Sequence, residues 1–89
     1  MHALVITLTI NDMEANEAYL RDQVVPRYSQ APGFLAGYWT RRDNGGLTFS
    51  VWESENAAAA AGDMVIAMAP AGVTIDSVDV RAVVASARP

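Results

Sequence analysis

The sequence predicts an α+β fold: one domain of β-α-β-β-α-β order with a single four-stranded antiparallel sheet. Three observations carry this. Four β-branched or alternating runs are separated by two stretches of helical spacing, and an Asp-Asn-Gly-Gly segment joins the two middle runs into a hairpin. Both middle runs are also apolar on both faces, although two helices cover only one face of a sheet.

The first run, Ala3-Leu4-Val5-Ile6-Thr7-Leu8-Thr9-Ile10, alternates Leu4, Ile6, Leu8 and Ile10 on one face with Val5, Thr7 and Thr9 on the other, as a strand requires. Asn11 stands three residues before Glu14, the spacing of a capping box, so a helix is expected to start there. Met13, Leu20, Val24 and Tyr28 recur at helical spacing, with Ala18, Val25 and Ala31 beside them, while Glu14, Glu17, Arg21 and Asp22 lie mostly away. Pro26 removes one backbone donor inside this pattern, which predicts a kink rather than an end.

Pro32-Gly33 closes the helix and opens a second strand, Phe34 to Arg42. Asp43-Asn44-Gly45-Gly46 then supplies residues tolerant of positive φ, and a third strand is expected from Leu47 to Glu53. On it Phe49 and Val51 face one way and Thr48, Ser50 and Trp52 the other. Ser54 is the expected N-cap of a second, alanine-rich helix, with Glu55 suited to the positive end of its dipole and a break predicted at Gly62. The last stretch, Val73 to Ala87, reads as a strand with a bulge, because Val83 departs from the alternation of Val78, Val80 and Val84.

The two-faced apolar strands are the unusual feature. Phe34, Ala36 and Tyr38 alternate with Leu35, Gly37 and Trp39, so a second face would stay in water at about 25 cal/mol for each Å² of apolar area. A chain of 89 residues without Cys has no disulfide to reinforce it, and its single His, His2, cannot build a typical zinc site. A homodimer through the sheet face is the expected remedy.

Composition excludes several functions. The net charge is −4 with six Arg and no Lys, and only Arg41 and Arg42 are adjacent, so no basic stripe suits nucleic acid. These two arginines could attract an acidic substrate, but beside Asp43 in a hairpin they read most simply as a solvated pair. Without Lys or Cys there is neither Schiff-base nor thiol chemistry. The apolar runs are too short to span a bilayer and the N-terminus lacks signal-peptide character, so a cytoplasmic protein without a membrane partner is expected.

Ala31-Pro32-Gly33-Phe34, followed by the hairpin and by Ser50-Val51-Trp52-Glu53-Ser54-Glu55, resembles the antibiotic biosynthesis monooxygenase-like family. The resemblance implies a ferredoxin-like domain that pairs sheet to sheet into a dimeric α/β barrel. It also implies a cofactor-independent monooxygenase-like activity on a small aromatic or polyketide-like compound, with no metal and no bound cofactor. In the family's oxygenases a Trp at the end of the third strand lines a cavity, with an Asn four residues earlier on the same face. Trp52 matches that Trp, and Thr48 stands where the Asn would be, offering one hydroxyl where an amide would both donate and accept. The haem-degrading members pair the Trp with a first-strand Asn and a later His, and this chain has neither.

The candidate site is therefore Trp52 and Thr48 as catalytic residues, with Tyr28, Ser50, Met64 and Met68 as the substrate-binding wall. The alternative is a non-catalytic small-molecule-binding or structural homodimer in which these side chains fill a core. A cavity of about 300 Å³ or more beside Trp52 distinguishes the two, and a closed core there speaks against the enzyme.

Overall fold

A computed structural model describes residues 1–89, and its elements run in the expected order. Strand β1 (His2–Ile10) is followed by helix α1 (Met13–Tyr19), a π-helical segment (Leu20–Val24) and helix α2 (Val25–Gln30); then come β2 (Phe34–Arg42), β3 (Gly45–Trp52), α3 (Glu55–Met68) and β4 (Val73–Ala82). The sheet has the order β2-β3-β1-β4 with every neighbouring pair antiparallel, which places the first and third strands at its centre. The helices cover one face. Leu4, Ile6, Val24, Tyr28, Trp52, Ala58 and Ala61 form the core between them and the sheet.

Local sequence explains most of this, with corrections. The first helix is capped by Asp12, whose carboxylate accepts from the Ala15 N–H at 3.1 Å, rather than by Asn11. The expected kink is a π turn placed just before Pro26. Proline cannot donate to the carbonyl four residues back, and the chain adapts with a wider turn in which Val25 N–H donates to the Leu20 carbonyl. Pro26 itself sits in the first turn of α2, where its missing donor costs little.

The second helix does not break at Gly62. Helix α3 runs unbroken because glycine lets it lie close to the sheet: a Cβ there would come 3.1 Å from Val78 Cγ1 and 3.4 Å from Leu4 Cδ1. The last strand ends at Ala82 instead of Ala87, and its expected bulge lies earlier, where the register with β1 shifts between Thr7 and Leu8.

Strand β2 departs from simple alternation. A register shift between Phe34 and Ala36 turns Phe34 to the helix side with Gly37 and Trp39, leaving Ala36 and Tyr38 on the outer face. Phe34 then packs edge-on against Trp52, with ring centroids 5.2 Å apart.

The two segments that resemble the monooxygenase-like family meet in space. Gly33 adopts φ +85°, and a Cβ on it would come 2.9 Å from Ala57 Cβ on α3, so only glycine fits the turn and the contact together. Its carbonyl accepts from the Glu53 N–H at 2.8 Å, and Ser54 caps α3 by accepting from Ala57 N–H. The Pro-Gly-Phe and Trp-Glu-Ser segments thus form one joint between the start of β2 and the start of α3.

The outer sheet face carries no helix. Tyr38, Leu47, Phe49 and Leu35 are exposed there, flanked by half-buried Val5, Ala36 and Val51. Toward β4 the same face is polar: Thr7 hydrogen bonds Ser77, Thr9 donates to Asp76, and Arg81 pairs with Asp79. No helix of the chain is long and apolar enough to cross a membrane.

Candidate functional site

Between the sheet and the helices lies a cavity of about 250 Å³, open at one side. Its floor is the inward row of β1, Ile6, Leu8 and Ile10, with Thr48 and Gly46 from β3 and Trp39 from β2. Leu20, Val24 and Tyr28 wall one side, and Val65, Met68, Pro70, Val73 and Ile75 the other. Ile6, Tyr28 and Thr48 are buried at the bottom, whereas Glu17, Arg41 and Ala69 are exposed, which marks the mouth. An adjoining hollow under Asp12, Ala71 and Gly72 shares Asn16 and Tyr19 with it.

Gly46 keeps the floor low. A Cβ at that position would fall 2.7 Å from Leu8 Cδ1, so any larger residue would push Leu8 toward the cavity or away from β3. Tyr19 braces the opposite wall, its hydroxyl donating to the Met68 carbonyl at 2.9 Å and tying α1 to the end of α3.

The polar groups around this space are few and mostly unclaimed. Asn16 is buried, and its side-chain amide makes no hydrogen bond within the chain, nor do the Thr48 hydroxyl and the Trp39 indole N–H. The Tyr28 hydroxyl is fully buried without any partner. Desolvation raises its pKa well above that of a free tyrosine, so Tyr28 stays a neutral phenol and is no base at ordinary pH. At the mouth Arg41 Nε lies 3.0 Å from Glu17 Oε1, joining β2 to α1.

Of the six sequence-predicted site residues, the structure brings Thr48, Tyr28 and Met68 to the cavity and leaves Trp52, Ser50 and Met64 outside its lining. Trp52 and Ser50 are buried one layer away. The indole N–H of Trp52 donates to Ser50 Oγ at 2.9 Å, and its ring packs edge-on against Tyr28 at 5.5 Å. Trp52 is thus the back support of Tyr28, satisfied within the core.

Sequence reasoning passed over Asn16, and it set aside Trp39 as packing and Arg41 as half of a solvated pair. The signal for Asn16 was present: it stands four residues before Leu20 and so on the apolar stripe that continues through Val24 and Tyr28, where a polar side chain needs a reason. Trp39 and Arg41 share the inward row of β2 with Gly37, a row readable only once the Leu35 bulge is known.

Solved structures share this architecture. SnoaB from Streptomyces nogalater, a cofactor-independent oxygenase seen as a point mutant, superposes with a TM-score of 0.74 at 18% identity, covering 96% of this chain and 94% of SnoaB. What the chain shares with it is the fold, a ferredoxin-like β-α-β-β-α-β domain with a four-stranded antiparallel sheet. MhuD, as a point mutant with two manganese protoporphyrin IX molecules bound per active site, matches over the full length of both chains with a TM-score of 0.69 at 17% identity. MupZ from Pseudomonas fluorescens gives 0.73 at 17% identity over 89% of this chain, which spans 65% of the MupZ chain. No family profile and no curated protein sequence matches the chain. Likeness at this level is a likeness of fold, and the cavity under the helices is the chain's own feature.

Proposed function

We propose that this chain is a cofactor-independent monooxygenase-like protein that holds a small aromatic or polyketide-like compound in the cavity and works as a homodimer through its outer sheet face. The observation that carries the reading is the cavity itself: apolar walls, an open mouth, and the unpartnered polar groups of Asn16, Thr48, Trp39 and Tyr28. Ligand sites have this composition, a hydrophobic lining with a few orienting polar groups. At about 250 Å³ the space falls short of the roughly 300 Å³ of ordinary ligand pockets and lies away from Trp52, whose surroundings are closed core, but it exceeds the roughly 150 Å³ that admits a benzene ring, and a longer compound would extend through the open mouth.

The chemistry such a cavity supports is oxidation of an activated methylene. The substrate loses a proton from a methylene flanked by aryl or carbonyl groups, and the carbanion passes one electron to dioxygen. Recombination of the two radicals forms a C–O bond, and protonation gives a hydroperoxide. Loss of water from it leaves a carbonyl, so that one methylene and one dioxygen become one ketone and one water. The protein's part is to stabilise the enolate oxygen by hydrogen-bond donors in a water-poor space. Asn16 and Thr48 would supply these donors. The likeness to a cofactor-independent oxygenase supports the same reading.

Dimerisation is supported by the exposed Tyr38, Leu47 and Phe49 and by a thin core, in which only 14 of 89 residues are buried. An interface of ordinary size, about 1,600 Å² in total, would add more than so small a core supplies alone.

Oxygen uptake with an anthrone-like substrate tests the activity. The wild type is expected to consume dioxygen and substrate in equal amounts, and Thr48→Val to slow this about tenfold or more. Trp52→Phe is expected to keep its rate per folded molecule, because Trp52 lies behind the lining. A compound that binds but is oxidised no faster than in protein-free buffer would establish the non-catalytic binder instead. The absence of any buried carboxylate or imidazole from the cavity lining favours that second reading.

A further inference from the structure

The geometry points to Arg41 as the residue that selects a carboxylate-bearing aromatic ligand, with Glu17 as a built-in counter-ion that such a ligand displaces. This deepens the reading of the cavity as a ligand site and rests on it. Arg41 is the one cation in the cavity lining, and it stands at the mouth, where any compound longer than the closed space must emerge. Its neighbour Arg42 lies on the opposite side of the strand and outside the lining.

The Arg41 contact is built to exchange. The guanidinium Nε is 3.0 Å from Glu17 Oε1, yet both side chains are about half exposed and the two share no hydrogen bond of good geometry. Exposed pairs of this kind contribute little, so separating them costs little. The terminal N–H groups of the guanidinium remain free, and with Nε released from Glu17 their planar fork fits a carboxylate in a two-point contact that a neutral group cannot copy. Across the ladder from Arg41 is Gly46, over which Leu8 and Ile10 of the apolar floor close in. A flat aromatic acid would place its rings over the β1 floor and its carboxylate on Arg41, while Glu17 swings into solvent.

The test compares 2-naphthoate with 2-naphthalenemethanol, an acid and a neutral alcohol on the same ring system, by quenching of tryptophan fluorescence. The acid is expected to bind the wild type about tenfold or more tightly than the alcohol. Arg41→Gln should remove that preference and leave the affinity for the alcohol unchanged. Glu17→Gln should strengthen binding of the acid alone, and Arg42→Gln should alter neither. Equal affinities for acid and alcohol in the wild type, or equal losses of both in Arg41→Gln, would overturn the role of Arg41 while leaving the cavity as a ligand site. Binding of neither compound would overturn the cavity reading as well.

Discussion

Tyr28→Phe removes a single oxygen, and the structure fixes what its loss does. The hydroxyl is fully buried at the foot of the cavity without a partner, and a buried unsatisfied hydroxyl costs about 1–3 kcal/mol relative to one hydrogen-bonded to water. Phenylalanine keeps the ring that packs against Trp39, Trp52 and Phe34 at centroid distances of 5.3, 5.5 and 6.2 Å, so the variant sheds the penalty and keeps the packing. The ligand-free variant should therefore be about 1 kcal/mol more stable at pH 7, a rise in Tm of about 4–8 °C for a domain of this size. The gap should widen in alkali. Burial raises the folded pKa of Tyr28 above the unfolded value near 10, so the stability it confers is complete below pH 10 and is lost as pH rises toward the folded pKa. At pH 11 the wild type should have lost about 1.4 kcal/mol that Tyr28→Phe does not lose. Thermal melts of both proteins at one protein concentration, at pH 7 and pH 11, read both effects. A variant less stable than the wild type at pH 7, or a gap that does not grow with pH, would mean that the hydroxyl has a partner and is not held in reserve for a ligand.

Two further substitutions probe the frame around the site. If the chain pairs through its outer face as proposed, the wild type should run as a dimer in light scattering coupled to size-exclusion chromatography and Phe49→Asp, which places a charge on that face, as a monomer; a dimeric mass for the variant would show that the face is not the interface. Gly33→Ala must adopt φ +85° and meet Ala57 Cβ at 2.9 Å, so chemical denaturation should show a loss of about 1–3 kcal/mol, whereas a loss below about 0.5 kcal/mol would show that the joint relaxes freely.

Fold and site were legible to different depths, and the difference is physical. Strand and helix order followed from periodicity because each element has one dominant apolar face, and the split of β3 into Thr48, Ser50 and Trp52 inward and Phe49 and Val51 outward holds in the structure. Errors arose where one residue of slack changes a face or a boundary. The Leu35 bulge turns Phe34 inward, the π turn before Pro26 replaces a kink, and Gly62 serves close approach instead of breaking α3. The site was harder to read because a cavity is where packing stops, and periodicity reports only what packs. Trp52, singled out by resemblance, is consumed by its bond to Ser50 and its contact with Tyr28, whereas Asn16, an oddity on an apolar stripe, reaches the open space. A polar residue that interrupts an otherwise apolar helical row is thus the better pointer to this cavity than the aromatic residue most easily noticed. Its buried amide finds no partner within the chain, so it does nothing to hold the empty protein together, and that is what marks it.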